Sequence, residues 1–171
     1  MPVIAGRSLT EDDLGELYVA HRLSLVRLAV LLVDDRALAE DVVQDAFAGL
    51  AARSARLRDA DAALAYVRRS VVNGSRSVLR RRRTARGYVP PRGIEDARPD
   101  ERAVLAEEHR EILVALDRLA PRQREVLVLR YWSGLSEAEI AETLGISRGA
   151  VKSTASRALD HLETMMGGRQ A

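Results

Sequence analysis

The clearest pattern of apolar and polar residues runs from Leu119 to Leu162, where it predicts three short helices. Pro121 suits the first turn of a helix, because the N–H that proline lacks would have no partner there. Apolar side chains then recur at helical spacing, at Val126, Leu127 and Tyr131. Gly134 is the expected end of this first helix.

Two further helix starts follow, each marked by a serine. Ser136 and Glu139 have the spacing of a capping box, in which hydroxyl and carboxylate each accept a hydrogen bond from a free backbone N–H. Ser147 is the expected cap of the third helix, and Gly145 allows the tight turn before it. The predicted inward-facing residues are Ile140, Ala141 and Leu144, then Val151, Ala155, Ala158 and Leu162.

Two short helices with a glycine at the corner are typical of a helix-turn-helix. The outward face of the third helix carries long cations, which reach phosphates or base edges, and small residues, which allow a close approach to the major groove. These outward residues are Arg148, Gly149, Lys152, Ser153, Ser156 and Arg157. The alternative is a capped helical hairpin that packs against another domain. The pattern favours DNA binding.

The N-terminal part of the chain predicts a second group of helices. Ser8 and Glu11 form another expected capping box, and the Asp34–Asp35 pair is expected to end that helix and to cap the next one. The apolar stripe of the first helix comprises Leu14, Leu17, Tyr18, His21, Leu25, Leu28 and Leu32.

In the second helix of this group, the spacing of apolar and polar residues predicts one buried face and one exposed face. The buried face comprises Ala39, Val42, Val43, Ala46 and Leu50. The exposed face is acidic and comprises Glu40, Asp41, Gln44, Asp45 and Ala48. An acidic strip of this kind is either a docking surface for a basic partner or an ordinary solvated face.

A third helix is expected to begin at Asp59–Asp61. Its predicted core positions are Leu64, Val67 and Val71. Asn73–Gly74 interrupts the apolar pattern and predicts a turn or a local irregularity, after which a helix resumes with Val78 and Leu79. Residues 8–86 are therefore expected to form a compact bundle of three to four helices.

Between the two groups of helices lies a segment without helical period, residues 87–100, which contains three prolines in GYVPPRGIEDARP. Asp100 is the expected cap of the helix that follows, and Val104, Ile112, Leu116 and Leu119 are its expected inward-facing residues. The predicted fold class is all-α: two small helical bundles, 8–86 and 101–164, joined by a flexible linker.

Charge is unevenly distributed along the chain. The formal net charge is only +2, yet residues 62–94 contain no Asp or Glu. The same stretch holds Arg68, Arg69, Arg76, Arg80, Arg81, Arg82, Arg83, Arg86 and Arg92. A basic block of this length predicts a polyanionic partner. The alternative is a solvated helix end followed by a flexible linker.

The composition argues against several classes of protein. The chain has no cysteine, so disulfides and thiolate metal sites are excluded, and its three histidines lie on different predicted helices. We therefore expect neither a metal nor another cofactor. No HExxH motif, phosphate-binding loop or nucleophile with a nearby base is present, so we do not expect an enzyme. No apolar run is long enough to span a membrane, and a cytoplasmic location is expected.

Taken together, these segments resemble a bacterial sigma factor of the extracytoplasmic-function type, in the sigma-70 family. Residues 37–50 look like the family's region 2.2, residues 65–83 like regions 2.3 and 2.4, and residues 119–153 like region 4. The resemblance implies a sigma region 2 at 8–86, a linker at 87–100 and a sigma region 4 at 101–164. It implies a protein that binds core RNA polymerase, recognises −35 and −10 promoter elements and directs transcription initiation.

The resemblance also implies roles for particular residues. Asp41, Gln44 and Asp45 match the positions that dock on the β′-subunit coiled coil, and region 4 is expected to contact the β flap. Asn73 matches the position beside the pocket for a base flipped from the −10 element. The neighbouring residues expected at −10 DNA are Tyr66, Arg69, Arg76, Arg80 and Arg81. The residues expected at the −35 element are Arg148, Lys152, Ser153, Ser156 and Arg157.

The chain departs from the family's pattern at several positions. Tyr66 stands where Trp is frequent, and plain core packing is the favoured interpretation of this residue. Thr154 and Ala155 stand where Arg and Leu are common, which removes a cation and a core contact and predicts either weaker −35 binding or a different reading of the −35 element. The other departures are Val72, Gly74 and Ser77, which stand where Arg, Leu and Asp are usual.

One alternative function remains open on the sequence alone. It is a free-standing helix-turn-helix regulator whose N-terminal bundle senses a ligand or dimerises. The arginine-rich end of that bundle favours the sigma factor, because it lacks the apolar pattern of a ligand pocket. The expected partners are core RNA polymerase and promoter DNA, and the resemblance leaves room for an anti-sigma factor. Neither a membrane nor a small-molecule substrate is expected.

Overall fold

A computed structural model describes residues 8–57, 59–86 and 114–167, and every regular element in these ranges is helical. The chain divides into two compact units, Met1–Pro91 and Arg92–Ala171. The first unit contains α1 (Glu11–Val33), α2 (Arg36–Ala51), a 3-10 turn (Ser54–Arg56) and α3 (Ala60–Arg86). The second contains α4 (Pro121–Leu127), a π-helical turn (Val128–Trp132), α5 (Glu137–Leu144) and α6 (Arg148–Gly167).

The predicted all-α fold class is confirmed. The proposed linker 87–100 and the expected cap Asp100 lie outside the described residues, as do the expected inward-facing Val104 and Ile112. Leu116 and Leu119, from the same predicted face, are described and are buried.

The core of the first unit is built from aliphatic side chains of all three helices. The predicted inward face of α2 is confirmed at each position, since Ala39, Val42, Val43, Ala46 and Leu50 are buried. Leu28 of α1 and Val67 and Val71 of α3 are also buried, whereas Leu64 is half-buried. The helical period of apolar residues thus packs three helices around one core.

The start of α1 differs from the prediction. Thr10, and not Ser8, is the N-cap: its Oγ1 accepts a hydrogen bond from the Asp13 N–H at 3.2 Å, and Asp13 Oδ2 accepts one from the Thr10 N–H at 2.8 Å. Both candidate boxes have the same spacing. The cap at Thr10 places three acidic residues in the first turn, where they interact favourably with the helix dipole.

Aspartates set the junctions between the helices of the first unit, as predicted. Asp34 adopts the left-handed conformation with φ 54°, and its N–H donates to the Val30 carbonyl at 2.9 Å. Asp35 Oδ1 accepts a hydrogen bond from the Leu38 N–H at 2.9 Å and so caps α2. Asp59 Oδ1 accepts one from the Ala62 N–H at the start of α3, at 2.6 Å.

The predicted break at Asn73–Gly74 is wrong, because α3 continues as one helix of 27 residues. Gly74 is instead required by the packing of α3 against α2. A Cβ at this position would lie only 2.9 Å from Val42 Cγ1 of α2, so glycine allows the two helices to approach closely. The described part of the first unit is therefore a bundle of three α-helices with one short 3-10 turn.

The helix boundaries of the second unit follow the predicted signals. Pro121 occupies the first turn of α4. Ser136 and Glu139 form the expected capping box of α5, with Ser136 Oγ accepting from the Glu139 N–H at 3.3 Å and Glu139 Oε2 accepting from the Ser136 N–H at 2.8 Å. Gly145 ends α5 with φ 66°, and Ser147 Oγ accepts from the Ala150 N–H at 3.1 Å.

Tyr131 does not lie on the buried face that contains Val126 and Leu127. The end of α4 widens into a π-helical turn, in which the Ser133 N–H donates to the Val128 carbonyl five residues earlier, at 3.2 Å. The wider turn rotates the residues that follow, and Tyr131 is 63% exposed. Helical spacing alone therefore misplaced this side chain.

Candidate nucleic-acid and protein interfaces

The first candidate interface is the acidic face of α2, formed by Asp41, Gln44 and Asp45, all of which are exposed. Gln44 Nε2 donates to the hydroxyl of Tyr18 on α1, at 3.3 Å. The Tyr18 ring in turn packs edge to face on Phe47, with ring centroids 4.9 Å apart. These contacts hold Gln44 in place while the two carboxylates remain accessible.

The second candidate interface is the arginine face of α3, formed by Tyr66, Arg69, Asn73, Arg76 and Arg80. Alternating steps of three and four residues bring these side chains to one side of the helix, opposite the buried valines. Asn73 is exposed, and its Oδ1 accepts a hydrogen bond from Arg76 Nη1 at 3.3 Å. An amide that can pair with a base therefore lies among cations that can bind phosphates.

Tyr66 lies at the edge of this face and is half-buried. A Cβ on Gly49 of α2 would lie 3.1 Å from the Tyr66 hydroxyl, so the phenol packs closely against α2. The guanidinium of Arg53 lies over its ring, 5.6 Å from the centroid. Tyr66 thus both packs on the bundle and retains a partly exposed aromatic ring that a base could contact.

The run from Arg80 to Arg82 does not form a single basic surface. Arg82 turns inward: its Nη1 donates to the Val33 carbonyl at 2.9 Å, and its Nη2 pairs with Asp35 Oδ2 at 2.7 Å. One side chain thereby joins α3 to the end of α1 and the start of α2. This contact could not be predicted from the sequence, because Arg82 lies inside a run of identical residues.

Arg81 lies apart from the arginine face, beside a shallow groove between α2 and α3. We call this the α2–α3 groove. It is lined by Leu38, Asp41, Val42, Asp45, Ala46, Ser70, Gly74, Val78 and Arg81. Arg81 therefore lines this groove together with Asp41 and Asp45 of the acidic face.

The third candidate interface is the outward face of α6. Arg148, Lys152, Ser153, Ser156 and Arg157 are all exposed, as is Gly149. A Cβ on Gly149 would meet only Ser147 Oγ, at 3.9 Å, so packing within the chain does not require glycine there. The basic residues occupy the first part of the helix, whereas the exposed residues Asp160 and Glu163 follow in the later part.

The inward face of α6 comprises the predicted stripe and, in addition, Thr154. Val151, Ala155 and Ala158 are buried and Leu162 is half-buried, in line with the predicted stripe. Thr154 is also buried, at 7% exposure. Thr154 therefore packs into the second unit together with the predicted stripe.

The helix-turn-helix is held by contacts outside the turn itself. Arg130, in the π-helical turn, pairs with Glu137 at the start of α5, at 3.5 Å. Arg124 pairs with Asp117, and Arg122 Nη1 pairs with the buried Glu125 at 3.1 Å. The exposed aromatic pair beside this turn, Tyr131 and Trp132, was not predicted from the sequence.

Neither a metal site nor a membrane-spanning helix is present within the residues that the structure describes. No group of three or more His, Asp or Glu side chains in 8–57, 59–86 and 114–167 is arranged to hold a metal ion. No helix in the same ranges has the length and apolar character needed to cross a membrane.

Two protein families match the chain, one in each unit. Residues 17–85 match the family described as Sigma-70 region 2, and residues 109–162 match the family described as Sigma-70, region 4. The RNA polymerase sigma-E factor of Streptomyces antibioticus is 37% identical over 150 residues, which cover 88% of this chain and 82% of that relative.

Solved structures show a similar fold. CnrH, solved in complex with the cytosolic domain of CnrY, is 27% identical with a TM-score of 0.71, and the match covers 93% of this chain and 90% of CnrH. The sigma factor RpoE of Bartonella quintana, solved with the anti-sigma factor NepR, has a TM-score of 0.76 at 24% identity. That match covers 91% of this chain and 98% of RpoE and supports the fold alone.

Proposed function

The chain belongs to the sigma-70 family of RNA polymerase sigma factors. From this premise we propose which of its residues bind core polymerase and which bind each promoter element. It is an alternative sigma factor of the extracytoplasmic-function type, which binds core RNA polymerase and directs it to promoters with −35 and −10 elements. The observation that carries this function is the presence of both regions in one chain. A free-standing helix-turn-helix regulator would not account for the match of the first unit to sigma region 2.

We assign core polymerase docking to the acidic face of α2. Asp41 and Asp45 are exposed carboxylates on a helix whose opposite side is fully packed, so the face is rigid before binding. Rigid, accessible charges increase the rate and the specificity of association with a basic partner more than they increase affinity. Gln44, held by Tyr18, adds a fixed amide at the centre of this face.

We assign the −10 element to the arginine face of α3. Extruding a base from the duplex costs a few kcal/mol, which contacts to the freed base must offset. Asn73 supplies an amide for such a base, and the ring of Tyr66 lies on the same side of the helix. Arg69, Arg76 and Arg80 would bind phosphates, which gives affinity without reading sequence.

We assign the −35 element to α6. Its basic residues lie within the first turns, which are the part of a recognition helix that contacts base edges in the major groove. The acidic residues Asp160 and Glu163 follow on the exposed side, and they limit the DNA-contacting part to the segment before them. The surface of Gly149 allows the DNA backbone to approach closely.

We propose domain limits of 8–86 for sigma region 2 and 101–164 for sigma region 4, with 87–100 as the linker; the family matches at 17–85 and 109–162 support these limits. The protein acts by binding and carries out no reaction of its own. It works in the bacterial cytoplasm, where polymerase and chromosome are found. An anti-sigma factor that covers the polymerase-binding face is a further proposed partner, by analogy with CnrH, which was solved in complex with the cytosolic domain of CnrY.

Run-off transcription with core polymerase and a promoter library tests this proposal. Transcripts that appear only with the protein, and that share two spaced upstream motifs, are the expected result. Asn73→Ala should reduce opening of these promoters, and Arg157→Ala should reduce binding through the −35 motif. Lack of initiation with core polymerase, together with binding of the free protein to duplex DNA, would contradict the sigma-factor assignment.

A further inference from the structure

We propose that Arg81 is a polymerase-docking residue, which acts with Asp41 and Asp45 to receive a charged segment of core RNA polymerase in the α2–α3 groove. The proposal rests on the proposed function of α2 and extends that surface onto α3. It removes Arg81 from the group of arginines that bind −10 DNA. The occupant is a polymerase segment with a basic side chain for the two aspartates and an acidic one for Arg81.

Helix geometry separates the three successive arginines of α3. Each residue of an α-helix is rotated by about 100° from the one before, so Arg80 lies about 20° from the direction of Asn73, Arg81 about 80° and Arg82 about 180°. The contacts agree with this geometry. Arg80 Nη2 donates to Ser77 Oγ on the exposed side at 3.2 Å, and Arg82 binds the α1–α2 junction. Arg81 lies between these directions, at the groove.

The groove carries charges of both signs that the chain itself leaves available. Asp41 and Asp45 line it from α2, and Arg81 lines it from α3. In the part of the chain that the structure describes, none of these three side chains has an ion-pair partner. Opposite charges that face a common groove without pairing to each other suit a partner that carries a basic and an acidic side chain. Pairing at both places would fix the position of that partner along the groove.

The apolar floor of the groove favours a protein partner over a nucleic acid. Val42 and Ala46 of α2 and Val78 of α3 lie between the charged walls, and Gly74 adds no side chain above Val42. The carboxylates of Asp41 and Asp45 would also repel a phosphate backbone at this position. The arginine face has Asn73 and Arg76 at its centre in place of such carboxylates.

The test compares Arg81 with its neighbour Arg80 in the full chain. The affinity of the labelled protein for core polymerase is measured without DNA, for Arg81→Ala, Arg80→Ala, Asp41→Ala and Asp45→Ala. Arg81→Ala should weaken core binding by roughly tenfold, the equivalent of one charge-assisted contact. Arg80→Ala should leave core binding within about twofold of the parent. In the holoenzyme, Arg80→Ala should instead lower the slope of log affinity for promoter DNA against log salt by about one.

The possible outcomes separate this proposal from the function on which it rests. If Asp45→Ala weakens core binding and Arg81→Ala does not, the role of Arg81 is overturned and docking at α2 stands. If neither Asp41→Ala nor Asp45→Ala weakens core binding, docking at α2 fails and the role of Arg81 fails with it. Equal losses for Arg80→Ala and Arg81→Ala would show a non-specific charge effect and overturn the division between them.

Discussion

Ser75 of α3 carries a hydroxyl group that is buried in the first unit without a hydrogen-bond partner. The residue is 1% exposed, and its Oγ has no partner in the described structure. A buried polar group that lacks a hydrogen bond costs stability, because it gives up its bonds to water without replacement. We expect Ser75→Ala to raise the free energy of unfolding by about 1 kcal/mol, measured by urea denaturation.

Ser77→Ala, two residues further along the same helix, is the matched control. Ser77 Oγ donates to the Asn73 carbonyl at 3.1 Å and accepts from Arg80 Nη2. The two substitutions share the gain in helix propensity from Ser to Ala, but only Ser77→Ala also loses hydrogen bonds, so Ser75→Ala should be the more stabilising of the two. Equal effects at the two positions would show that burial of Ser75 carries no penalty.

The contact between α2 and α3 depends on the absence of a side chain at Gly74. Alanine there should lower the free energy of unfolding by about 1–3 kcal/mol, even though alanine favours helix, because its Cβ would lie 2.9 Å from the stiff Val42 side chain. Thermal unfolding followed by circular dichroism measures the change. The companion substitution Val42→Ala should recover part of the loss introduced by Gly74→Ala, since it removes the clashing methyl group.

Gly15 provides the control for that prediction, because it is also a helical glycine of the first unit. Apart from the two adjacent residues and the nearby backbone of its own helix, no atom lies within 4 Å of a Cβ built at Gly15. Gly15→Ala should therefore raise the free energy of unfolding by about 0.5–1 kcal/mol through backbone entropy alone. A gain of the same size at Gly74 would contradict the close packing of α2 and α3.

Arg82 connects three helices, and its substitution tests whether this contact holds the arginine-bearing end of α3. We expect Arg82→Ala to lower the free energy of unfolding by roughly 1 kcal/mol, because the pair with Asp35 is about one-third exposed and partly screened by solvent. Arg83→Ala, at the exposed neighbouring position, should change it by less than about 0.5 kcal/mol. Hydrogen exchange of α3 amides should increase only in the Arg82 variant.

The elements differ in how far their sequence predicts them. The buried face of α2 was fully predicted, since its five apolar residues follow the helical period without interruption. Asn73–Gly74 was misread, because local propensity associates Asn-Gly with a turn while close contact with Val42 is a tertiary requirement. The cap of α1 was displaced by two residues, because Ser8 and Thr10 begin motifs of equal spacing.

The sequence predicts which residues form the candidate interfaces better than it predicts the direction in which each side chain points. The outward face of α6 follows from its helical period, and all its expected DNA-contacting residues are exposed. The roles within the arginine run do not follow from composition, because identical residues at 80, 81 and 82 differ only in direction. The direction of each side chain depends on how α3 packs against α1 and α2. That packing involves residues far away in the sequence, such as Asp35, which pairs with Arg82.

At the scale of the whole molecule, each of the two compact units carries one of the two proposed DNA-binding faces. Asn73 lies in the first unit and Arg157 in the second. If each unit binds its own promoter element, the losses of binding free energy from Asn73→Ala and Arg157→Ala should add to within about 0.5 kcal/mol in the double variant. Each single variant should cost about 1–3 kcal/mol, measured as holoenzyme affinity for promoter DNA at fixed salt.

A pair within one interface provides the contrast for this double-mutant cycle. Asn73 Oδ1 and Arg76 Nη1 are 3.3 Å apart, so Asn73→Ala and Arg76→Ala disturb a shared contact. The loss of binding free energy in their double variant should therefore deviate from the sum of the single losses by roughly 0.5 kcal/mol or more, as is usual for coupled residues. Coupling between Asn73 and Arg157 as large as this local coupling would mean that the two elements are not read independently. Because a free energy of linkage acts in both directions, the −35 contact would then also alter base capture at −10.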